Sequence, residues 1–215
     1  NGRDLVCLLI FLTNESKNVK LQLADNLSRD SGDRMKAIPK VTFSHVGIYV
    51  RDLARMELFY TTVLGLLVTD RGILPGRELV FLTRDSNEHH QLVLATGRDA
   101  DNNIKVLNQL SFKVNSLQEL RDFYESLQTT SGVSDLTPIN HGLAWSLYFK
   151  DPEGNRVEVF LDSPWYVEQP ISDPLDLSLS DREILKHTEH TYEGRSGFQL
   201  RTEWQEALKH RLNKN

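Results

Sequence analysis

The chain has little of several features that mark common protein classes. It contains one cysteine, Cys7, which excludes an internal disulfide, a CxxC redox pair and a cysteine-rich zinc ribbon. Its strongly apolar run, residues 5–12, is far shorter than the roughly 20 residues of a membrane-spanning helix. Basic charge is not in excess, because the formal net charge is -5, and this disfavours nucleic acid or a membrane surface as a partner. We therefore expect a cytoplasmic protein that acts on a small molecule.

The first 37 residues differ in character from the rest. The run at 5–12 lacks a basic start and a small-residue cleavage site, so we do not expect an export signal. Residues 25–33 are polar and turn-rich. Residues 1–37 are thus interpreted as an N-terminal extension or a cloning remnant, with an added edge strand as the alternative. The domain proper is expected at 38–165, followed by an extended arm with C-terminal helices at 166–215.

A repeated pattern runs through the middle of the chain. Residues 44–50 alternate as a strand does, and a helical segment follows from Leu53, with Asp52 as its N-cap and Gly65 near its end. The same order recurs from Asn108, with a strand to Val114 and a second helical segment at 117–127. An internal repeat of this length points to a duplicated structural unit.

The strands after each helix also repeat. Residues 78–82 correspond to residues 146–150, and a strand starting at His90 corresponds to a strand containing Glu158. In the second half, the two strands are joined by a tight turn at 151–155. Each half therefore predicts a βαβββ module, at about 41–98 and 105–162. One such half leaves an apolar sheet face open, so two halves must pair. The predicted fold is α+β, with both modules lining one cleft.

Four polar residues occupy equivalent positions in that predicted cleft. His45 corresponds to Gln109, and His90 corresponds to Glu158 in the alignment of the two halves. Each has a side chain that can bind a metal or move a proton. Glu158 stands between Val157 and Val159, where a carboxylate is costly to bury unless it is paired or metal-bound.

Residues 39–165 resemble the vicinal oxygen chelate superfamily of glyoxalases, bleomycin resistance proteins and dioxygenases. The resemblance rests on residues 139–141 and 147–158, which follow the signature of single-domain type I extradiol ring-cleavage dioxygenases. It implies that Glu158 and His45 are metal ligands and that His141 and Tyr148 lie beside the substrate. It also implies that a histidine of residues 88–91 is the acid-base residue. Alternation directs only one of His89 and His90 inward, and the repeat selects His90 over His89.

One position departs from the family pattern. Gln109 stands where the extradiol enzymes have their second ligand histidine, and an amide oxygen is a harder and weaker donor than imidazole. The predicted metal ligands are therefore His45, Gln109 and Glu158. An alternative ligand set, similar to that of glyoxalases, adds His90 as a fourth ligand. In that case His90 cannot serve as a free base.

The resemblance implies an extradiol dioxygenase that cleaves a catecholic ring with O₂, on a catechol or a biphenyl-2,3-diol type of substrate. Iron(II) is the expected metal, with manganese(II) or another divalent ion as an alternative. The other functions considered are a glyoxalase-like lyase or isomerase and a non-catalytic small-molecule binding protein. Two-domain extradiol enzymes carry a second pair of modules that this sequence does not show. We therefore expect a homodimer or higher homo-oligomer, in which self-association replaces the missing contact surface.

The tail is predicted to be an extended arm followed by helices. Ser180 is expected to cap a helix through Lys186, and Thr202 to start an amphipathic helix ending near Leu212. His187 and His190 are expected to be solvated.

Overall fold

The computed structural model describes residues 41–99 and 106–213. The chain divides into two compact units, Asn1–Phe43 and Ser44–Asn215, and the description below concerns the second unit. The expectations for residues 1–37 lie outside the described residues.

The first module is a four-stranded mixed sheet with one helix. The strand order is β1-β4-β3-β2, in which β1 is parallel to β4 and the other pairs are antiparallel. The elements are β1 (Val46–Val50), α1 (Leu53–Thr62), β2 (Leu67–Leu74), β3 (Arg77–Thr83) and β4 (Leu92–Thr96).

The second module repeats this plan. Its elements are β5 (Leu110–Lys113), α2 (Leu117–Thr129), β6 (Ser134–Asn140), β7 (Ala144–Lys150) and β8 (Arg156–Asp162). A short strand from the C-terminal arm, β10 (Asp173–Pro174), extends this sheet to the order β10-β6-β7-β8-β5. The predicted α+β fold of two tandem βαβββ modules is confirmed.

Local sequence signals explain where both module helices begin. The Asp52 carboxylate accepts a hydrogen bond from the Arg55 backbone N–H at 3.0 Å, and the Ser116 hydroxyl accepts one from the Glu119 N–H at 3.1 Å. Each bond satisfies an N–H group that the first helical turn leaves unpaired. Helix α1 ends at Thr62, and Gly65 then takes up a φ of 65°, which glycine adopts without strain.

The strand registers separate an apolar face from a polar face. In the second sheet, Leu147, Phe149, Val157 and Val159 are buried in the main hydrophobic core. Their neighbours Tyr148 and Glu158, which are direct cross-strand partners, point to the opposite face because side chains alternate along a strand. The polar residues of the predicted site therefore share one face of this sheet.

The turn between β7 and β8 joins the two modules. Glu153 Oε1 accepts hydrogen bonds from the backbone N–H groups of Arg51 at 2.7 Å and Asp52 at 2.8 Å, at the start of α1. The turn itself closes through a hydrogen bond from Gly154 N–H to the Asp151 carbonyl at 2.9 Å, with Gly154 at a φ of 82°. The prediction of a tight turn at 151–155 is confirmed.

The C-terminal arm packs against the second module. Its elements are β9 (Trp165–Tyr166), β10, α3 (Asp181–Tyr192), β11 (Gln199–Leu200) and α4 (Arg201–Leu212). Ser180 caps α3 as predicted, but the helix runs to Tyr192 instead of ending at Lys186. It continues because Thr188 and Tyr192 extend its buried face by a further turn of helix.

The last helix also differs from its prediction. Helix α4 has no buried residue, so the amphipathic character expected from Thr202 onward is not observed. His187 and His190 are exposed, as expected. Within residues 41–99 and 106–213, no helix combines the length and hydrophobicity that crossing a bilayer requires.

Candidate metal and substrate site

Glu158 is the centre of a polar cluster on the second sheet. Its side chain is 7% exposed, and its Oε2 atom accepts hydrogen bonds from Ser111 Oγ at 2.5 Å and Gln109 Nε2 at 2.7 Å. Ser111 is the register partner of Glu158 in the parallel β5–β8 pair, and Gln109 directly precedes β5. These donors offset the desolvation of a buried carboxylate. Two predicted ligands, Gln109 and Glu158, are thus in direct contact.

Tyr148 and His141 adjoin this carboxylate. The hydroxyl of Tyr148 lies 3.1 Å from His141 Nε2, and the two rings are nearly perpendicular, at 89°. Burial and the hydrogen bond to the Glu158 carboxylate raise the pKa of Tyr148 to about 12, against a smaller opposing effect of Arg156. The phenol is therefore protonated at neutral pH and is available as a donor.

The C-terminal arm fixes the ring of His141. His141 Nδ1 lies 2.5 Å from the carbonyl oxygen of Ile171, which can only accept, so Nδ1 carries a hydrogen. In the neutral imidazole, Nε2 is then bare and accepts the hydrogen of Tyr148. A protonated His141 instead donates to Tyr148 and leaves the phenol free to donate to Glu158. The hydrogen-bonded chain from His141 through Tyr148 to Glu158 is therefore complete only with a protonated His141, because the phenol has a single hydrogen to donate.

A second cluster, on the first module, gathers histidines. The rings of His45 and His90 have centroids 4.3 Å apart, and His90 Nδ1 lies 2.9 Å from His89 Nδ1. His89 Nε2 in turn lies 2.8 Å from Asp70 Oδ2. Sequence reasoning treated His89 only as a competitor of His90, whereas the two rings are in contact.

The hydrogen bonds of this cluster determine where the His90 protons lie. Because the Asp70 carboxylate can only accept, His89 carries its hydrogen on Nε2 and, when neutral, has a bare Nδ1. His90 must then donate from Nδ1, so its Nε2 is the basic nitrogen. Partial desolvation and the neighbouring His45 and His89 rings lower the pKa of His90.

The register contradicts one expectation about His90. The predicted strand starting at His90 begins instead at Leu92, and His90 belongs to the preceding loop. Gly47 pairs with Val93 as Ser111 pairs with Glu158, so Val93 is the symmetric equivalent of Glu158. The segment remains a loop because polar side chains satisfy its backbone, as in the bonds from Arg84 N–H to Gln91 Oε1 and from Asn87 N–H to Asp85 Oδ1.

Three site residues have no counterpart in the sequence predictions. Asp70 lies on β2, a strand whose residues alternate too weakly to be placed from sequence. Ser111 is one of two polar residues of β5, and its pairing with Glu158 depends on the register. Arg156 stands two residues before Glu158. Because side chains alternate along a strand, this spacing could have predicted that Arg156 and Glu158 lie on the same face of the sheet.

The structure brings the predicted ligands together in two pairs. His45 contacts His90, and Gln109 contacts Glu158. His45 directly precedes β1 as Gln109 directly precedes β5. Across residues 41–99 and 106–213, no group of three or more His, Cys, Asp or Glu side chains is placed to hold a metal ion. The four-ligand alternative, in which His45, His90 and Glu158 belong to one group, is therefore not observed.

The Gln109–Glu158 pair fits two neighbouring ligands of one divalent cation. Two ligands at right angles on an ion, with bonds of about 2.1 Å, lie about 3 Å apart. Gln109 Nε2 and Glu158 Oε2 are 2.7 Å apart, and a half turn of the amide places its oxygen where the nitrogen lies. The predicted ligand set of His45, Gln109 and Glu158 contains only two His, Cys, Asp or Glu residues. The lack of a group of three such residues therefore does not exclude this ligand set. Convergence of His45 on Glu158 remains a prediction.

Two paired βαβββ modules with polar residues gathered on one sheet face define the fold class of this chain. The chain belongs to the Glyoxalase/Bleomycin resistance protein/Dioxygenase superfamily, whose family model matches residues 42–159. The matched range includes every predicted site residue and both modules except the last three residues of β8.

Individual relatives are also similar to this chain in sequence. Biphenyl-2,3-diol 1,2-dioxygenase 2 of Rhodococcus globerulus is 34% identical over 133 residues, which cover 60% of this chain and 66% of that protein. Biphenyl-2,3-diol 1,2-dioxygenase 3 of the same organism is 31% identical over 125 residues, covering 56% and 63%. The match therefore spans just under two thirds of each relative. The crystal structure of a glyoxylase/bleomycin resistance protein/dioxygenase domain from Frankia sp. EAN1pec is 25% identical and covers 59% of this chain and 100% of that chain, with a TM-score of 0.49.

Proposed function

We propose that this protein is a metal-dependent dioxygenase that opens a catecholic ring with O₂ by extradiol cleavage. The observation that carries the proposal is the buried Glu158 carboxylate, bonded to Gln109 and adjoining the Tyr148–His141 pair. The names of the two Rhodococcus relatives support a diol substrate of the catechol or biphenyl-2,3-diol type.

In this proposal His45, Gln109 and Glu158 hold the metal, with iron(II) as the first candidate and manganese(II) as the alternative. The chemistry that such an ion supplies when bound is to bring a catecholate and O₂ together at open coordination positions. Gln109 is neutral, as imidazole is, so it keeps the net charge of the family's donor set while binding iron(II) less strongly.

His90 is the proposed acid-base residue. The His89–Asp70 pair leaves Nε2 of His90 bare, so this nitrogen can take a hydroxyl proton from the substrate and later return it. Because the pKa of His90 is lowered, the neutral basic form predominates at neutral pH.

Tyr148 and His141 are proposed to stabilise oxygen as negative charge develops on it, with His141 donating in its protonated form because its neutral ring has no hydrogen on Nε2. Tyr148 carries its proton at neutral pH, and the Ile171 carbonyl holds the His141 ring in one orientation. Donors that are already oriented need no rearrangement during the reaction, which is the basis of electrostatic stabilisation.

The test is anaerobic reconstitution with iron(II), followed by addition of 2,3-dihydroxybiphenyl in air. We expect a yellow ring-opened product together with the uptake of one O₂ per substrate, measured by absorbance and an oxygen electrode. Glu158→Gln and His45→Ala should abolish both signals. The matched control is His190→Ala, which removes an exposed histidine on α3 and should retain full activity.

Two results would contradict the proposal. Full activity of Glu158→Gln or His45→Ala would remove the proposed ligands from the reaction. Turnover of a carbonyl substrate without O₂ uptake would indicate the lyase or isomerase alternative.

A further inference from the structure

Arg156 presents a guanidinium on the face that carries the candidate site. It is the first residue of β8 and stands two positions before Glu158, so both side chains leave the strand on the same side. Its Cζ atom lies 4.0 Å from the centroid of the Tyr148 ring. Tyr148 is the cross-strand partner of Glu158, so the guanidinium lies over the ring of a tyrosine that adjoins the Glu158 carboxylate.

The charge of Arg156 is not neutralised within the described part of the chain. Its cross-strand partner Lys150 forms an ion pair with Asp135 at 2.6 Å. Among residues 41–99 and 106–213, by contrast, no carboxylate oxygen lies within 4.0 Å of a guanidinium nitrogen of Arg156. Arg156 is also exposed, so an incoming molecule can reach it. One unpaired cation thus stands at the edge of the polar cluster.

Stacking on Tyr148 holds the guanidinium without using its hydrogen-bond donors. A guanidinium that lies over an aromatic ring directs its N–H groups outward in its own plane, where they match the two oxygens of a carboxylate. A lysine ammonium would supply charge but not this fork of donors. The arrangement is therefore suited to a planar anion arriving beside Tyr148.

We infer that Arg156 is a specificity-determining residue that binds a carboxylate substituent on an aromatic diol substrate. This inference rests on the proposed function, because it assigns a substrate class to the same site. It narrows that class from neutral catechols to catechols that carry an acidic side group.

The experiment compares 3,4-dihydroxyphenylacetate with catechol, which lacks the carboxylate. Binding is measured anaerobically by calorimetry on the iron(II)-loaded protein, so that no turnover is needed, and kcat and KM are then measured in air. The wild type should bind the carboxylated diol at least tenfold more tightly than catechol. Arg156→Gln should weaken that binding about tenfold and change catechol binding less than twofold, with the kinetic loss in KM and not in kcat.

Two further variants separate charge from structure. Arg156→Lys should keep an intermediate preference, because the charge remains while the planar fork is lost. Lys150→Gln, the matched control, removes a neighbouring cation on the same pair of strands and should change neither ligand's binding by more than twofold.

The outcomes distinguish the inference from the proposed function. Preferential binding of the carboxylated diol that Arg156→Gln removes supports the inference even if no ring cleavage occurs, in which case only the proposed function fails. Equal binding of both diols, binding of neither, or an equal loss for both in Arg156→Gln would overturn the role of Arg156.

Discussion

The hydroxyl of Tyr60 on α1 donates a hydrogen bond to Asp151 Oδ2 at 2.9 Å, which joins the helix of the first module to the β7–β8 turn of the second. Both residues are buried, with Tyr60 0% and Asp151 2% exposed. Burial raises the pKa of Asp151, and the hydrogen bonds from Asn155 and Tyr60 oppose this increase. The carboxylate also accepts bonds from the backbone N–H groups of Glu153 and Asn155. A buried polar network therefore couples the modules whose pairing creates the fold.

Tyr60→Phe tests this coupling. Removing the hydroxyl leaves Oδ2 of the buried Asp151 carboxylate with one donor, Asn155 Nδ2, instead of two. We therefore expect the free energy of unfolding to fall by about 1–3 kcal/mol. Urea denaturation followed by circular dichroism measures the change. Tyr124→Phe, which removes a hydroxyl from a half-buried tyrosine of α2, is the control and should cost less than about 0.5 kcal/mol. Equal stability of wild type and Tyr60→Phe would mean that the bond does not hold the modules together.

Local signals explain what the sequence could predict. The N-caps Asp52 and Ser180 were predicted because each bonds to an N–H group only three residues away, and Ser116, which was not predicted, caps α2 in the same way. The paired modules were predictable because the alternation of apolar residues repeats between the halves. Contacts of this kind depend on neighbouring residues or on a pattern that occurs twice.

Features that depend on distant residues could not be predicted in the same way. The start of β4 was placed at His90 because apolar alternation alone does not reveal that Gln91 accepts a hydrogen bond from Arg84 across the loop. The contact of Asp70 with His89 arises from the pairing of β2 with β3, and the exposed residues of β2 give no clear pattern. The register and the loop geometry, and hence the symmetric partner of Glu158, required the structure.

The raised pKa of Tyr148 predicts a dependence of stability on high pH. An unfolded tyrosine ionises near pH 10, whereas the folded Tyr148 ionises at about 12. The folded state therefore holds this proton more tightly, and the stability that it contributes is complete below about pH 10 and is lost as the pH rises toward 12. Tyrosinate absorbance at 295 nm, compared between wild type and Tyr148→Phe, should yield a difference curve with a midpoint near pH 12.

The Glu158→Gln variant identifies the cause of that shift. Removing the carboxylate charge that accepts the hydrogen bond from Tyr148 should lower the pKa of Tyr148, although burial will still hold it above the ordinary value. Tyr192→Phe is the control and should leave the pKa of Tyr148 unchanged. Tyr192 also has a raised pKa, caused by burial and its bond to Asp173, but it lies outside the Glu158 cluster. A Tyr148 midpoint near pH 10 in the wild type would contradict the described environment.

Gln109→His should strengthen the binding of iron(II). An imidazole at this position restores a donor that first-row metals prefer to an amide oxygen, so we expect at least a tenfold decrease in Kd. Gln109→Ala should change the affinity in the opposite direction. Equilibrium dialysis with metal analysis under anaerobic conditions measures both effects.

The control for Gln109→His adds a histidine elsewhere. Gln128→His makes the same substitution at an exposed position of α2 and should leave iron(II) binding unchanged. An unchanged Kd in Gln109→His would show that residue 109 is not a ligand, whereas an equal gain in both variants would reflect a surface histidine only.

Asp70→Asn should impair the proposed base without touching the metal ligands. An amide at residue 70 can donate to His89 Nε2, which moves the His89 hydrogen to Nδ1 and so places the His90 hydrogen on Nε2, the nitrogen that must be bare. We expect kcat to fall roughly tenfold, with KM and the Kd for iron(II) within a factor of two. Steady-state kinetics on reconstituted protein provides the values.

A double variant determines whether Asp70 acts through His90. His90→Gln should lower kcat by roughly 10²–10⁴-fold, because a positioned general base contributes about that much. If Asp70 serves only to set the protonation of His90 through His89, adding Asp70→Asn to His90→Gln should cause no further loss, since the base is already gone. Multiplicative losses would instead show that Asp70 affects the site by another route, and the relay from Asp70 through His89 to His90 would have to be abandoned.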